Sequence, residues 1–298
     1  IMKQYQELLR KILSENTNSE GVVQFDRDTR SGKTCGIFGE QLSFDMRDGF
    51  PIVTTKYVPF KSVVGEALWF LNGENTLTQL RYRSEIEKDT WTIWSNDHAR
   101  WNKSWGTEEL DDLGNIYGSQ WRGWYDAETD TRVDQISDLI LRIKEDPMSR
   151  YHVVSAWNVA DIKSDRMALP ACHNMFQVYV THDGYMDLIW NQRSADALLG
   201  VPFNIASYGF ILTILAKATG YTARMLKVSL GDVHIYQNHY QQVLELLSRN
   251  PKDLPTKLQL PKVSDDSDFF EYISKTASAY SLVGYNFHPA IKAPLSVG

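Results

Sequence analysis

The sequence predicts an α+β fold in a single domain over residues 1–298. Three observations lead there. Segments with helical apolar spacing and segments with strand alternation are both present. Three strand-like runs follow one another between residues 152 and 190. No internal repeat, low-complexity stretch or interdomain linker divides the chain.

Residues 1–13 place Tyr5, Leu8, Leu9, Ile12 and Leu13 at helical spacing, an amphipathic helix rather than a signal peptide. Residues 37–45 alternate apolar and polar side chains before the turn Arg47-Asp48-Gly49, which reads as a strand. Pro59 opens a helix to about residue 71, with Phe60, Val63, Val64, Ala67 and Leu68 on its apolar stripe; Asn72-Gly73 stops it. Residues 81–115 are charged and Trp-rich, and read as a surface excursion with short helical pieces. Val133, Ile136, Leu139, Ile140 and Ile143 mark another amphipathic helix, ended at Asp146-Pro147. Strands are expected over 152–157, 175–181 and 185–190, the last two joined by the hairpin signal His182-Asp183-Gly184. Residues 203–219 form the most hydrophobic helix, with Gly220 at its C-terminal cap. A strand over 224–230 and a helix over 234–249 follow, the latter stopped by Asn250-Pro251.

The bulk numbers exclude several classes. The net charge of −6 argues against a broad phosphate-binding surface for nucleic acid, although a few converging arginines can still hold a small anion. Only Cys35 and Cys172 occur, so no disulfide framework is expected and a reducing compartment is the default. No apolar run reaches the roughly 18 residues of a membrane span. A cytoplasmic chain is the expectation, with no membrane and no nucleic acid as substrate.

Four places carry side chains suited to chemistry. Cys172 sits between Pro170 and His173 at a strand entry, where a neighbouring cation would favour its thiolate; a buried inert cysteine is the alternative. Cys35 has no such setting and reads as structural. The polar run Gln192-Arg193-Ser194-Ala195-Asp196 precedes the most apolar helix. Arg193 and Ser194 are suited to a phosphate, and Asn204 offers a donor and an acceptor from one amide; alternatively Asp196 and Asn204 only cap the helix. His234 and Tyr236 stand two apart at an expected helix start. Glu66 lies on an otherwise apolar helix, either as a buried acid or base or as an outward, solvated carboxylate. The histidines and cysteines lack metal-site spacing, so no metal is expected.

Taken together, these segments resemble one family. Pro51-Ile52-Val53-Thr54-Thr55-Lys56, Gly65-Glu66-Ala67-Leu68-Trp69-Phe70, Ile116-Tyr117-Gly118, Val154-Ser155-Ala156-Trp157-Asn158, Ala171-Cys172-His173, the Gln192 run, Pro202-Phe203-Asn204-Ile205-Ala206-Ser207-Tyr208 and Gly231-Asp232-Val233-His234-Ile235-Tyr236 occur in the order found in thymidylate synthases, as does His288-Pro289-Ala290-Ile291-Lys292-Ala293-Pro294. The resemblance runs over residues 2–298.

The resemblance implies a large mixed sheet flanked by helices, with two sheets packed back to back in a homodimer. It implies transfer of a one-carbon unit from 5,10-methylenetetrahydrofolate to C5 of dUMP, with Cys172 as the nucleophile that adds to C6. Glu66, Tyr117, His173, Asn204, Arg193 and Asp196 would complete the catalytic set. Arg30, Arg193 and Ser194 would hold the phosphate with Arg150 from a second copy of the chain, and His234 and Tyr236 the sugar hydroxyl. Ile93, Trp94, Leu199, Gly200 and Phe203 would stack on the folate, Asp196 would hydrogen-bond its pterin, and Lys56 would meet its glutamate tail. Ser296 joins this set at the C-terminal end.

The chain departs from the family pattern at Tyr151 (usually a second arginine), at Ala171 and Asn115 (usually prolines) and at Asp97 (usually a tryptophan). Its phosphate loop around Arg30 is one residue shorter. An insertion near 97–114 resembles virus-encoded members, for which host cytoplasm is the implied location. The family has two branches. The first reading is reductive methylation to dTMP. The second is hydroxymethylation, in which water replaces the hydride. A nucleotide-binding protein without catalysis is the third.

Overall fold

The structure, a computed structural model, describes residues 2–29, 31–107, 110–252, 255–264 and 268–295. It begins with α1 (Lys3–Glu15), which buries Tyr5, Leu8, Leu9 and Ile12 as the spacing requires. Strands β1 (Arg27–Thr29) and β2 (Gly32–Asp45) follow. Helix α2 (Phe60–Leu71) starts directly after Pro59 and ends at Asn72-Gly73. The next region holds α3 (Leu77–Ser84), α4 (Ser95–Trp105) and α5 (Tyr117–Gly123). Beyond a small hairpin of β3 (Trp124–Asp126) and β4 (Thr131–Val133) come α6 (Gln135–Glu145), β5 (Val153–Ser155) and α7 (Val159–Lys163). Strands β6 (His173–Val180) and β7 (Tyr185–Asp196) lead to α8 (Gly200–Thr219) and β8 (Thr222–Tyr236). Helix α9 (Tyr240–Ser248), β9 (Lys257–Gln259), α10 (Phe269–Ile273) and β10 (Ser281–Val283) complete the order.

Several expected boundaries move. Val133 is an exposed residue of β4, because Asp134 caps α6 by accepting from Ser137 N. The strand expected over 37–45 begins at Gly32, and that over 152–157 contracts to three residues. Strand β7 does not stop at Trp190 but runs on through the polar residues to Asp196, since Gln192, Ser194 and Asp196 find parallel partners on β8. Strand β8 continues to Tyr236, paired with β7 as far as His234 and with β2 to its end. His234 and Tyr236 therefore lie on a strand end, not at a helix start, and their spacing of two puts them on one face. Of the described residues between 81 and 115 about half are exposed, yet Trp94, Asn102 and Leu113 are buried.

Six strands form one mixed sheet in the order β1-β2-β8-β7-β6-β5, parallel only between β7 and β8. A parallel pair needs a long crossover, and α8 supplies it. The sheet face bearing Phe176, Leu188, Trp190, Val228 and Leu42 is buried throughout. The opposite face, with Val153, Gln177, Tyr179 and Ile189, stays partly open. By length and composition α8 could cross a membrane, but 78% of its most apolar window is buried inside the fold.

Gly65, in the middle of α2, permits α3 to approach. A Cβ there would lie 2.6 Å from Ser84 Cα, a backbone atom that cannot swing away. Overpacking of this kind costs about 1–3 kcal/mol, so in a chain of 298 residues Gly65→Ala should lower Tm by roughly 2–5 °C in thermal unfolding. An unchanged Tm would show that the α2–α3 contact yields without cost.

Candidate active site

The C-terminal ends of β7 and β8 carry the polar residues of one sheet face to a single place. Alternation along β7 turns Gln192, Ser194 and Asp196 the same way as buried Trp190, and the register sets Asp196 beside His234. A cavity of about 280 Å³ opens there, lined by Ser194, Asp196, Asn204 and Tyr236 on one side. Glu66, Trp94, Tyr117, Cys172 and His173 close the other, and Leu199, Gly200 and Phe203 form the start of α8. A second cavity of about 630 Å³ shares Glu66, Ile93, Leu199 and Phe203 with the first, and extends to Lys56, Tyr57 and Lys292.

Cys172 precedes β6 and is held from both sides. Its backbone N–H donates to Tyr117 Oη at 2.7 Å, and its carbonyl accepts from Arg193 N at 2.8 Å. Arg193 Nη2 lies 3.9 Å from Cys172 Sγ. That guanidinium is itself fixed, donating to Ala171 O and Pro170 O and lying 5.2 Å from the Trp157 ring centre. A thiol beside a fixed cation is favoured as thiolate. Cys35, by contrast, is buried on β2, and burial pushes its thiol up to about 11.

Glu66 is buried, so the solvated reading of this residue is corrected. Its Oε1 accepts from Trp94 Nε1 at 2.7 Å, and burial still raises the carboxyl to about 7, the hydrogen bond opposing. Tyr117 is held well above the usual phenol range by burial. His173 stacks on Tyr117, with ring centres 4.1 Å apart and planes at 21°, and burial lowers it to about 3, leaving a neutral ring. A group poised near neutrality thus stands beside two donors that keep their protons.

Around Asn204 the donor directions are forced. Trp190 Nε1 can only donate, and it does so to Gln192 Oε1 at 3.1 Å. Gln192 Nε2 then donates to Asn204 Oδ1 at 3.1 Å. Asn204 sits within α8 rather than capping it, whereas Asp196 Oδ1 does accept from Leu198 N and Leu199 N. Lys56 is buried, donates to Leu198 O at 2.5 Å, and is lowered to about 8 by burial against the opposing charge of Asp196. His234 Nδ1 meets Asp232 Oδ1 at 3.2 Å, and Arg27 holds the same carboxylate at 2.6 Å.

The C-terminal segment completes the wall. His288 N donates to Thr54 O at 2.8 Å, and Arg249 Nη1 donates to Thr55 O and Pro289 O. His239 Nε2 meets Pro294 O at 2.7 Å, and Leu295 lines both cavities. Arg150 is exposed on the β5 approach and lines neither cavity of its own chain. Arg30 and Ser296 lie outside the described residues. Sequence reasoning assigned no role to Gln192, Tyr208 or Leu295. Gln192 could have been found by its alternation with Ser194 and Asp196, and Tyr208 by standing four residues after Asn204 on one helix face. No group of three or more His, Cys, Asp or Glu that could hold a metal occurs among the described residues.

The family model for thymidylate synthase matches residues 3–297. A protein of Escherichia phage T5 named "Probable thymidylate synthase" is 44% identical over 297 residues, covering 99% of this chain and all of the relative. Proteins named "Thymidylate synthase" from Listeria monocytogenes serotype 4a (strain HCC23) and serotype 4b (strain CLIP80459) are each 39% identical over 334 aligned positions, covering 99% of this chain and all of the relative. The chain belongs to the thymidylate synthase family.

The raised Glu66 has a consequence for stability. Below its ordinary value of 4.5 the carboxyl is protonated in both folded and unfolded chains. As pH rises from there through about 7, only the unfolded chain releases the proton readily, so stability falls by on the order of 3 kcal/mol. Glu66→Gln removes this loss, and its Tm should gain on the wild type between pH 5 and pH 8. Parallel Tm–pH curves for the two proteins would contradict a buried, neutral-leaning Glu66.

Proposed function

We propose that the chain transfers a one-carbon unit from 5,10-methylenetetrahydrofolate to C5 of dUMP, giving dTMP. The observation that carries this reading is Cys172, held 3.9 Å from the Arg193 guanidinium at the mouth of a cavity shared with Glu66, Tyr117, His173 and Asn204. Thiolate addition forms a bond from Sγ to C6 of the pyrimidine. The C5=C6 electrons then move toward O4 and make C5 nucleophilic. Fixed donors around the cavity stabilise the charge collecting on O4. Asn204 reads the O4 and N3–H edge, with the donor direction of its amide set by Gln192. Glu66, titrating near neutrality, moves protons at O4 and C5 through water.

C5 bonds the folate's methylene carbon as that carbon's bond to N10 breaks, and loss of the C5 proton then breaks its bond to N5. A hydride from the tetrahydrofolate adds to the exocyclic methylene as the Sγ–C6 bond breaks, leaving dTMP, dihydrofolate and the freed Cys172 thiolate. The larger cavity suits an elongated aromatic anion, since Ile93, Leu199 and Phe203 give it an apolar wall and Lys56 and Lys292 give it cations. Trp94 and Gly200 extend that wall, and Asp196 bonds the pterin while holding the start of α8. His234 and Tyr236 bind the sugar hydroxyl. Arg30, Arg193 and Ser194 bind the phosphate together with Arg150 of a second copy, with Ser296 at the folate end. The partly open sheet face supports a back-to-back homodimer, and the exposure of Arg150 supports its serving another copy's site. The reaction is placed in the cytoplasm, that of the host for a virus-encoded chain. The relatives' names favour the methyl over the hydroxymethyl product.

Mass spectrometry of the product from dUMP and methylenetetrahydrofolate tests the reading directly, because the two products differ by one oxygen. Cys172→Ser should abolish turnover while dUMP still binds, since a hydroxyl is too weak an acid to add at a useful rate. Cys35→Ser should stay active, and the reverse pattern would reassign the nucleophile.

An arginine–phosphate contact contributes about 1.5–3 kcal/mol, so Arg150→Ala should lose most activity. Mixed with inactive Cys172→Ala, it should regain activity through hybrid dimers in which one site holds both intact residues. Absence of complementation, with subunit exchange confirmed by native mass spectrometry, would refute the shared site.

A further inference from the structure

Tyr208 lies on α8, fully buried, with its ring flat against Trp190 of β7 at 4.7 Å and 6°. Its hydroxyl is 2.9 Å from His173 Nδ1. Burial pushes the phenol far up, so it keeps its proton, and burial equally keeps the imidazole neutral. A neutral ring has one N–H, and the contact with Tyr208 decides which nitrogen bears it. If Nδ1–H donated to the phenol oxygen, the phenol O–H would need a second acceptor. Among the described residues, His173 is the hydrogen-bond partner of that hydroxyl and no other side chain or carbonyl takes it. A buried O–H without an acceptor is the costlier arrangement. If the phenol donates to Nδ1, both groups of that buried contact are satisfied and the ring proton must sit on Nε2, on the side of the cavity that His173 lines.

We propose that Tyr208 is a positioning residue that fixes the tautomer of His173, holding its proton on Nε2 so that the ring offers an N–H donor to the cavity. The catalytic consequence rests on the reading given under Proposed function. There, negative charge collects on the pyrimidine O4 when Cys172 adds to C6, and a donor stabilises it where a lone pair would repel it. The same anchor reaches further. His173 stacks on Tyr117, and Tyr117 Oη accepts from the Cys172 backbone N–H, so Tyr208 braces the nucleophile's own segment through three successive contacts.

Tyr208→Phe keeps the ring and its stack on Trp190 and removes only the O–H. The direct test is long-range proton–nitrogen NMR of the full-length protein labelled with 15N-histidine, with the His173 signals identified by their loss in His173→Gln. The wild type should show Nε2–H alone, and Tyr208→Phe a mixture of both tautomers. In kinetics the variant should lose about ten-fold or more in kcat while KM for dUMP stays within about two-fold, a split that general loosening of the fold would not give. A wild-type spectrum with the proton on Nδ1 overturns the proposal, and it does so whether or not the variant folds. An unmixed Nε2–H signal in Tyr208→Phe, or an unchanged kcat, overturns the role of Tyr208. Absence of any dUMP turnover in the wild type would instead remove the functional reading, and the spectrum would still decide the tautomer.

Discussion

Along residues 185–196, β7 runs beside β8 in the same direction, and strands paired this way cannot be joined by a tight turn. The chain must leave the end of β7, cross the sheet and return to the start of β8. Helix α8 makes that crossing, and its burial on the apolar sheet face fixes where it begins. Asp196 therefore ends a strand and anchors a helix at once, and Asn204 and Tyr208 follow on the helix that passes over the same strand ends. The parallel register sets His234 next to Asp196. The antiparallel β6 then brings Cys172 and His173 beside Gln192 from the other side. The contributors from the sheet and from α8 thus reach the cavity through two adjacent pairings of β7, while Glu66, Trp94 and Tyr117 come from outside the sheet.

The electrostatic character of the site follows from how little water that arrangement admits on one side. Glu66, Tyr117, His173 and Tyr208 are all buried among aromatic rings, and each shifts toward its neutral form for the same reason. Arg193 is the exception. It stays at the rim, with its charge tied down by two carbonyls and a tryptophan face rather than by a carboxylate. The thiol thus meets a cation held by carbonyls, and the proton-handling groups sit where an uncharged state is stable.

Much of this was legible in the residues themselves. The stripes of α1 and α2, the stop at Asn72-Gly73 and the apolar run of α8 follow from spacing, because those helices bury a definite face. The polar end of β7 was not legible as a strand. Arginine, serine and aspartate there pair through the backbone while their side chains serve the cavity, so composition points to a loop and hydrogen bonding to a sheet. His234 and Tyr236 were misplaced for the same reason. Candidates such as Cys172 and Glu66 were visible, whereas the distance from Arg193 to the thiol and the burial of Glu66 depend on segments far apart in sequence. Gln192 was hidden in plain polarity: its task is to orient another amide, which no residue type advertises.

Hydrogen bonds to main-chain atoms fix much of the path of residues 288–295, beside the buried Ile291 side chain and the 2.7 Å contact of His288 Nε2 with Asn250 O. Carbonyls of Pro289 and Pro294 are gripped by Arg249 and His239, and the His288 amide is gripped by Thr54 O. A grip on the backbone is indifferent to which side chain the gripped residue carries. Positions of this segment other than His288, Ile291 and Ala293 can therefore accumulate substitutions without its losing its course, so long as Arg249 and His239 persist in the body of the fold. Evolutionary drift along this strap would then change what it presents to the larger cavity, through positions such as Leu295, while leaving intact the route that delivers it there.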